Sequence, residues 1–281
     1  MSTETSARIV FLGCGSMNEA ILGGLLAGGL PPANVTATVR RPERAKELAD
    51  RHGVTTLSNN ENPRANVEAV ADADIVIMGV KPVGIQSLAA EIAPNLKPDT
   101  VVISVAAAVS IPMMEAELPD GQPVIRTMPN TPSKVGRGVV ALAAGTHATD
   151  AIMAKAKEIF TASGTVVVVP EDQIDAVSAV SGSGPAYAFY LAEAMAAAGE
   201  KLGLDAETSR VLARDTVAGA GALLSEPDAD AEALRIAVTS PGGTTAAALE
   251  TFTAKGLPDV IEAGARAAAA RAAEITAELQ K

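Results

Sequence analysis

The glycine turn near the amino terminus constrains the fold more than any other feature of this chain. An apolar run breaks into Gly13-x-Gly15 and then continues as an alanine- and leucine-rich helix pattern. A strand that ends at glycines can turn sharply, and its main chain can approach a phosphate whose charge the next helix N-terminus stabilises. Asn18 replaces the third glycine of the usual pattern. We predict that four residues surround the pyrophosphate of a dinucleotide: Gly13, Gly15, Ser16 and Met17.

The second predicted strand, Val35–Val39, is followed by two arginines. In dinucleotide-binding domains an Asp or Glu normally stands there and binds the ribose 2′-hydroxyl. Arg40 and Arg41 are permanently charged, planar donors that suit a 2′-phosphate instead. We therefore predict NADP as the cofactor, with NADPH preferred and NADH also accepted. The alternative is that both arginines are solvated residues that cap the strand.

Strand-like and helix-like segments alternate over the first half of the chain, which is typical of a parallel sheet. After residue 173 strand signals cease, and the remaining residues have the composition of a helical bundle. We predict an α/β protein, with an N-terminal doubly wound Rossmann-like domain (residues 1–170) followed by an all-α C-terminal domain (residues 171–281). The predicted strands are 8–12, 35–39, 75–78, 101–105, 124–128, 138–143 and 165–169. The last two are candidates for antiparallel strands of this sheet, with a helix over 150–161 between them.

Composition argues against several classes of partner and site. The chain has 22 Lys and Arg against 33 Asp and Glu, and this net charge of −11 opposes binding to nucleic acid or to an anionic membrane. Charged residues also interrupt its apolar helices too often for a membrane span. Cys14 is the single cysteine and Met1–Arg8 has no basic-then-apolar leader, so we expect a cytoplasmic protein. We expect no metal site, because His52 and His147 are far apart in the sequence.

Small residues dominate the later helices, for example over Ala192–Gly199 and Ala218–Ala222. The chain has no Trp, 2 Tyr and 4 Phe. A helical half with so few bulky side chains cannot fill a core of its own, and burial against a second subunit would supply the missing contacts. We therefore predict a homodimer formed through this half, which makes it a dimerisation domain.

Two loops carry more polar and conformationally special residues than a fold requires, over Arg126–Pro132 and Val238–Thr245. In the second loop a serine, a proline and two glycines precede a helix. Its first turn would present free N–H groups at Gly243, Thr244 and Thr245, which suit a small carboxylate. The alternative is that a serine or threonine of this loop, Ser240 or Thr244, simply caps the helix.

Six motifs together resemble one enzyme family. They are Gly13-x-Gly15-x-Met17-x-x-Ala20, Val80-Lys81-Pro82, the run Ile103–Ile111, Met128-Pro-Asn-Thr-Pro132, the run Asp175–Tyr187 and Ser240-Pro-Gly-Gly-Thr-Thr245. The chain resembles the Δ1-pyrroline-5-carboxylate reductases from end to end, and the last two motifs at this spacing are the most specific. The resemblance implies reduction of 1-pyrroline-5-carboxylate to L-proline by NAD(P)H, the last step of proline synthesis, in a dimer or a ring of dimers. Ala108 departs from the family pattern, which commonly has glycine there.

The resemblance also implies residue roles. Thr245 is the catalytic residue, whose hydroxyl faces the ring nitrogen of the imine, and Lys81 as a general acid is the weaker alternative. The helical half then also binds the substrate, with Thr245, Ser240 and the N–H groups of Gly242, Gly243 and Thr244. On the cofactor side, the ribose lies beside Val80, Lys81 and Pro82, the nicotinamide lies near Ala106, Ala107 and Asn130, and Asn60 makes a further contact.

Three other functions share part of this pattern. A β-hydroxyacid dehydrogenase-like enzyme would share both the glycine turn and the helical second half, but the lysine motif of its interdomain helix is missing. A reductase that passes hydride between a deazaflavin and NADP usually lacks the long helical half. An NADP-binding redox sensor without catalysis would not need the Ser240–Thr245 loop.

Overall fold

The described residues, 7–280 of the computed structural model, contain one sheet of eight strands in the order β3-β2-β1-β4-β5-β6-β7-β8. Strands β1 to β6 are mutually parallel, β7 is antiparallel to β6, and β8 is parallel to β7. The prediction that Met1–Arg8 contains no export leader falls mostly on residues 1–6, which lie outside the described residues. The strands are β1 Ile9–Leu12, β2 Val35–Val39, β3 Thr55–Ser58, β4 Ile75–Met78, β5 Val101–Ser104, β6 Val124–Pro129, β7 Gly138–Ala144 and β8 Gly164–Val168.

Helices cover both faces of this sheet, as the doubly wound fold class requires. One apolar cluster packs α1, α2 and α6 against one face, and a second packs α3, α4, α5 and α7 against the other. The fold class predicted from the sequence is therefore confirmed. These helices are α1 Ser16–Ala27, α2 Pro42–His52, α3 Ala65–Val70, α4 Ile85–Ile92, α5 Ile111–Glu115, α6 Asp150–Thr161 and α7 Ile174–Val177.

The sequence prediction misses one strand of the sheet. It misses β3, because Thr55-Thr56-Leu57-Ser58 is short and polar and lies at the edge of the sheet, where it needs little apolar surface. Its candidates for antiparallel strands are confirmed, because β7 is antiparallel to β6, and β8, which is parallel to β7, therefore also runs antiparallel to β1–β6. The helix α6 connects these last two strands and has the predicted bounds.

The remaining helices form a second compact unit. Packing divides the described chain into residues up to Gly182 together with those from Ala268 onward, and the unit Ser183–Ala267. The domain boundary after residue 170 stays a prediction. The helices are α8 Gly184–Lys201, α9 Ala206–Leu223, α10 Ala231–Ala237, α11 Thr244–Ala254 and α12 Leu257–Leu279, and the last of them extends from the second unit into the first.

The second unit buries very little of its own surface. Of its described residues only Ser209 and Ala213 are buried, and both lie on α9 where this helix packs against α8. A Cβ atom on Gly199 would lie 2.8 Å from the Ser209 hydroxyl, so the glycine permits this close approach. Large apolar side chains such as Phe189, Tyr190 and Leu191 are exposed, which agrees with the expectation that this half has no core of its own.

The loop after β5 contains a strained backbone. Ala108 adopts φ +62° although it carries a Cβ atom, and it is buried. The left-handed conformation costs an L-residue roughly 1–2 kcal/mol, which a glycine would avoid. The position at which the family commonly has glycine is therefore one where the backbone itself favours glycine.

We expect Ala108→Gly to stabilise the protein relative to Ala107→Gly by about 1 kcal/mol. Both variants add the same freedom to the unfolded chain, but only the first relieves the left-handed strain. Urea unfolding of the two variants under identical conditions measures the difference. Equal unfolding free energies would show that the loop carries no strain at Ala108.

Candidate functional site

The predicted cofactor residues gather at one edge of the sheet. Because β1 to β6 are parallel, their carboxyl ends meet there, and β1 lies between β2 and β4, where the strand order of a doubly wound sheet reverses and ligands bind. Each of these strands is followed by at least one predicted residue: Gly13, Gly15, Ser16 and Met17 after β1, Arg40 and Arg41 after β2, Asn60 after β3, Val80, Lys81 and Pro82 after β4, Ala106 and Ala107 after β5, and Asn130 after β6.

The two glycines of the first turn have different roles. Gly13 has φ +72°, and a Cβ atom on it would lie 2.5 Å from the Val80 Cγ1 atom, so the fold itself requires glycine there. Gly15 is exposed, and a Cβ atom on it would meet no protein atom within 4 Å. The space beside Gly15 and the N-terminus of α1 at Ser16 fit a pyrophosphate, which needs close main-chain approach and unpaired N–H donors.

Two polar residues that sequence reasoning missed hold this turn in place. The Thr38 hydroxyl accepts a hydrogen bond from the Gly13 N–H (3.3 Å) and donates to Asn66 Oδ1 (2.7 Å), and the Thr38 carbonyl accepts from the Cys14 N–H (2.9 Å). Both Thr38 and Asn66 are buried. A threonine inside the apolar strand β2 is the signal that could have indicated them.

Asn18 takes the place of the third glycine of the usual dinucleotide motif without separating β1 from β4. Its side chain is 1% exposed, and its Nδ2 donates to the carbonyl oxygens of Ile77 (3.3 Å), Leu12 (3.4 Å) and Gly13 (3.4 Å). A Cβ atom on Gly79 would collide with this amide. The departure from the usual motif is therefore accommodated by a second glycine, which follows β4.

Arg40 and Arg41 are exposed, and neither side chain has an ion pair among the described residues. Arg44, one turn later, differs because it pairs with Glu19 (2.5 Å) and Glu47 (2.8 Å). Arg40 and Arg41 therefore remain available for a 2′-phosphate, whereas Arg44 in α2 does not. The main chain nearby is supported by β3, since the Asn60 N–H and the Ser58 hydroxyl donate to the Arg40 carbonyl (3.1 and 3.2 Å).

Glu19 joins α1 to α2 through ion pairs with Arg44 and Arg51 and a hydrogen bond with the His52 ring (3.2 Å). Burial opposes its ionisation, but hydrogen bonds from Arg44 and His52 outweigh this effect and lower the pKa of Glu19 to about 2. Because the pKa is lower than in the unfolded chain, the stabilisation is present at neutral pH and is lost as the pH falls towards 2. Glu19 is therefore ionised at neutral pH and holds Arg44 in an ion pair.

Cys14 is an inert thiol rather than a reactive one. It is buried, and this burial, together with the charge of Glu19, raises its pKa to about 12. A thiolate, which is the reactive form, is therefore absent at neutral pH. The structure supports the interpretation of Cys14 as a small buried residue in the glycine turn.

The Asn130 side chain forms hydrogen bonds with other residues of the protein. Its Oδ1 accepts from the Val139 N–H (2.8 Å), and its Nδ2 donates to the Ser181 carbonyl (3.0 Å) and hydroxyl (3.2 Å). The predicted contact of Asn130 with the nicotinamide would then come from its main chain or from the face of its amide. That contact stays a prediction.

The Ser240–Thr245 loop, in the second unit, ends at the N-terminus of α11. Gly243 is the N-cap residue and no side chain caps the helix, so the alternative in which Ser240 or Thr244 caps it is wrong. Gly242 has φ +69°, which favours glycine. The Gly243 N–H donates to the Ser240 carbonyl (3.0 Å), so the prediction of a free donor there is also wrong. The N–H groups of Thr244 and Thr245 lie in the first helical turn, whose donors α11 itself does not use.

Two further observations concern metal binding and membrane-spanning helices. Among residues 7–280, no group of three or more His, Cys, Asp or Glu side chains is arranged to hold a metal ion. No helix in this described part of the chain is both long and apolar enough to cross a membrane.

Comparisons with known proteins give the family. Residues 171–275 match the family model for pyrroline-5-carboxylate reductase dimerisation, and residues 8–108 match the model for F420-dependent NADP oxidoreductases. The pyrroline-5-carboxylate reductase of Pseudomonas aeruginosa is 38% identical over 276 residues, which are 98% of this chain and 99% of the relative. The chain belongs to the pyrroline-5-carboxylate reductase family. The family predicted from its motifs is therefore confirmed.

Further members of the family agree in length and in fold. The pyrroline-5-carboxylate reductase of Mycobacterium leprae is 39% identical over 97% of this chain and 98% of its own length. The solved structure of a pyrroline-5-carboxylate reductase from Coxiella burnetii has a TM-score of 0.89 at 35% identity and covers 96% of this chain and 99% of its own. The Plasmodium falciparum pyrroline carboxylate reductase, solved with NADP bound, shares the fold at a TM-score of 0.81 and 24% identity, over 98% of this chain and 100% of its own.

We expect the double variant Arg40→Ala, Arg41→Ala to lose much of its preference for NADPH over NADH. A hydrogen bond to a charged group contributes roughly 1.5–3 kcal/mol, so KM for NADPH should rise about tenfold or more while KM for NADH changes little. Lys46→Ala is the control, because this exposed cation of α2 pairs with Asp50 instead. Unchanged selectivity in the double variant would place the 2′-phosphate elsewhere.

Proposed function

We propose that this protein transfers hydride from NADPH to the C=N bond of 1-pyrroline-5-carboxylate and so forms L-proline, the last step of proline biosynthesis. The observation that carries the proposal is the family membership over nearly the whole chain, including the helical half that matches the family's dimerisation model. The dinucleotide edge of the sheet and the uncapped helix after the Ser240–Thr245 loop provide what the two reactants need.

The cofactor residues fit NADPH, which supplies the hydride when it is bound. Gly13, Gly15, Ser16 and Met17 hold the pyrophosphate. Arg40 and Arg41 bind the 2′-phosphate with guanidinium groups that have no ion pair among the described side chains. The remaining contacts, with the ribose and the nicotinamide, come from Asn60, Val80, Lys81, Pro82, Ala106, Ala107 and Asn130.

The substrate needs positioning more than strong acid catalysis. A cyclic imine is already electrophilic at carbon once it is protonated, so orientation and exclusion of water provide most of what hydride transfer requires. Ser240 and the main chain of Gly242, Thr244 and Thr245 hold the substrate carboxylate. The positive end of the α11 dipole adds to this attraction. Gly243 contributes by closing the loop, since its N–H is already used by Ser240.

Thr245 acts at the ring nitrogen. A hydroxyl both accepts and donates hydrogen bonds, so it can accept from the iminium N–H before transfer and donate to the product amine afterwards. The side chain is half-buried in the first turn of α11, where the helix restricts its rotamers. Lys81 is exposed and follows β4, in a segment where cofactor contacts through the main chain are typical, so we assign it no acid role.

The active form is a homodimer, and a ring of dimers is its larger assembly, in the cytoplasm. The dimerisation family model covers residues 171–275, and the apolar side chains that Ser183–Ala267 leaves exposed supply the surface for such an interface. The small substrate is the only other partner that we propose. The net charge of −11 opposes nucleic acid as a further partner.

An assay of NADPH oxidation tests the proposed reaction against its alternatives. We expect turnover with 1-pyrroline-5-carboxylate and none with 2-hydroxy or 3-hydroxy acids in the reverse direction with NADP. Turnover of a 3-hydroxy acid would favour a β-hydroxyacid dehydrogenase-like enzyme. NADPH binding without any turnover of the imine would favour a redox sensor.

We expect Thr245→Ala to lower kcat about 10²-fold and to leave the Kd for NADPH within twofold. The loss removes the hydrogen bond at the reacting nitrogen and no group of the dinucleotide edge. Thr253→Ala is the matched control, because its hydroxyl donates to the Leu249 carbonyl in the same helix (2.9 Å). Equal losses of turnover and of NADPH binding would remove Thr245 from the chemistry.

A further inference from the structure

A buried guanidinium lies in the sheet and is not among the residues proposed to bind the cofactor or the substrate. Arg126 is on β6, between β5 and β7, and is 5% exposed. Its Nη1 lies 3.2 Å from Glu171 Oε1, and its Nη2 lies 3.5 Å from Asp175 Oδ1. A buried charge is tolerated only when it is paired, so these two carboxylates hold Arg126 and Arg126 holds them.

The face of β6 that carries Arg126 contacts the segment 171–182 at three points, the first of which is the pairing of Arg126 itself. Side chains of alternate residues of a strand share one face, which places Met128 and Asn130 beside Arg126. A Cβ atom on Gly182 would lie 2.5 Å from the Met128 Cε atom, so Gly182 packs directly on this methionine. Asn130 donates to Ser181, as described above.

The segment fixed by these contacts has an unusual backbone. Ser178–Gly182 forms a π-helical turn between α7 and α8. Such turns are rare and frequently occur at functional sites, because their wider geometry must be maintained by the surrounding structure. Ser181 contacts Asn130, which follows the carboxyl end of β6, so the turn lies at the edge where the cofactor residues gather.

Stability alone does not explain the arginine. Its Nε–H is buried without a hydrogen-bond partner in the described chain, and a well-packed apolar residue often replaces a buried ion pair without loss of stability. Glu171 would also stay anchored without it, because its Oε1 accepts from the Ile111 N–H (2.6 Å). Asp175 is the residue that would lose its charged partner.

We propose that Arg126 is a positioning residue for imine reduction: through Asp175 it fixes the turn Ser178–Gly182 at the cofactor edge of the sheet. The inference rests on the proposed reductase function. Nothing in it requires Arg126 to touch the substrate or the cofactor. Its effect on the reaction comes from where it holds α7 and the turn that follows.

Arg126→Met tests the proposal with a residue of similar length and no charge. We expect kcat/KM for 1-pyrroline-5-carboxylate to fall about 10- to 100-fold, the loss typical of a small displacement near the reacting groups, with the Kd for NADPH within twofold and the thermal midpoint preserved. Arg126→Lys, which can reach one carboxylate, should recover part of the loss. Arg8→Met is the control, because Arg8 forms an exposed pair with Asp72 (3.1 Å) before β1.

A double-mutant cycle with Asp175→Asn separates positioning from independent effects. If Arg126 acts through Asp175, then Arg126→Met should lower kcat/KM by a much smaller factor in the Asp175→Asn background than in the wild type. Additive losses, unchanged kcat/KM, or a parallel rise in the Kd for NADPH would each overturn the proposal. If the wild type reduces the imine and Arg126→Met matches it, only this inference fails. A wild type that does not reduce the imine would remove the proposed function as well.

Discussion

The close approach of β1 and β4 at the glycine turn is the constraint on which the cofactor edge depends. Gly13 leaves no room for a side chain against Val80, and Gly79 leaves none against Asn18. Because no side chain separates the two loops, the first turn of α1 begins directly at the strand ends. The Thr38 and Asn66 hydrogen bonds then fix this turn from the other side, so its N–H groups have a defined direction before any ligand binds.

The strands of the first half could be predicted from the sequence because central parallel strands are buried on both faces and consist of continuous β-branched runs, as in Val101–Ser104. The edge strand β3 could not, since its polar residues meet no such requirement. The predicted cofactor residues share one edge of the sheet because each of them follows the end of a parallel strand, while their contacts with a cofactor stay predictions. The hydrogen bond from the Gly243 N–H to Ser240 depends on the exact path of the loop main chain, which the residue types alone do not determine. The pairing of Arg126 depends on carboxylates that lie 45 or more positions away in the sequence.

Two departures from common patterns, Asn18 in the dinucleotide glycine motif and Ala108 in the family pattern, show what the fold tolerates at the cofactor edge. Asn18 replaces a small residue by satisfying three carbonyl groups, so its extra atoms bridge β1 and β4 without separating them. Ala108 replaces a glycine at the cost of local strain, which the surrounding buried residues maintain. Asn18 fits because its amide forms hydrogen bonds with the main chain, and Ala108 fits because its backbone adopts a left-handed conformation. The geometry that the cofactor meets is therefore more constrained than the residue types that form it.

The scarcity of buried residues in Ser183–Ala267 has a consequence for how the enzyme behaves on dilution. Two small buried side chains on α9 cannot offset the conformational entropy of ordering five helices, so most of the free energy that holds this unit together must come from association. By mass action, the fraction of chains with an ordered helical half then falls as the subunit concentration falls. Specific activity at nanomolar enzyme would thus report the monomer–oligomer equilibrium as much as the chemistry.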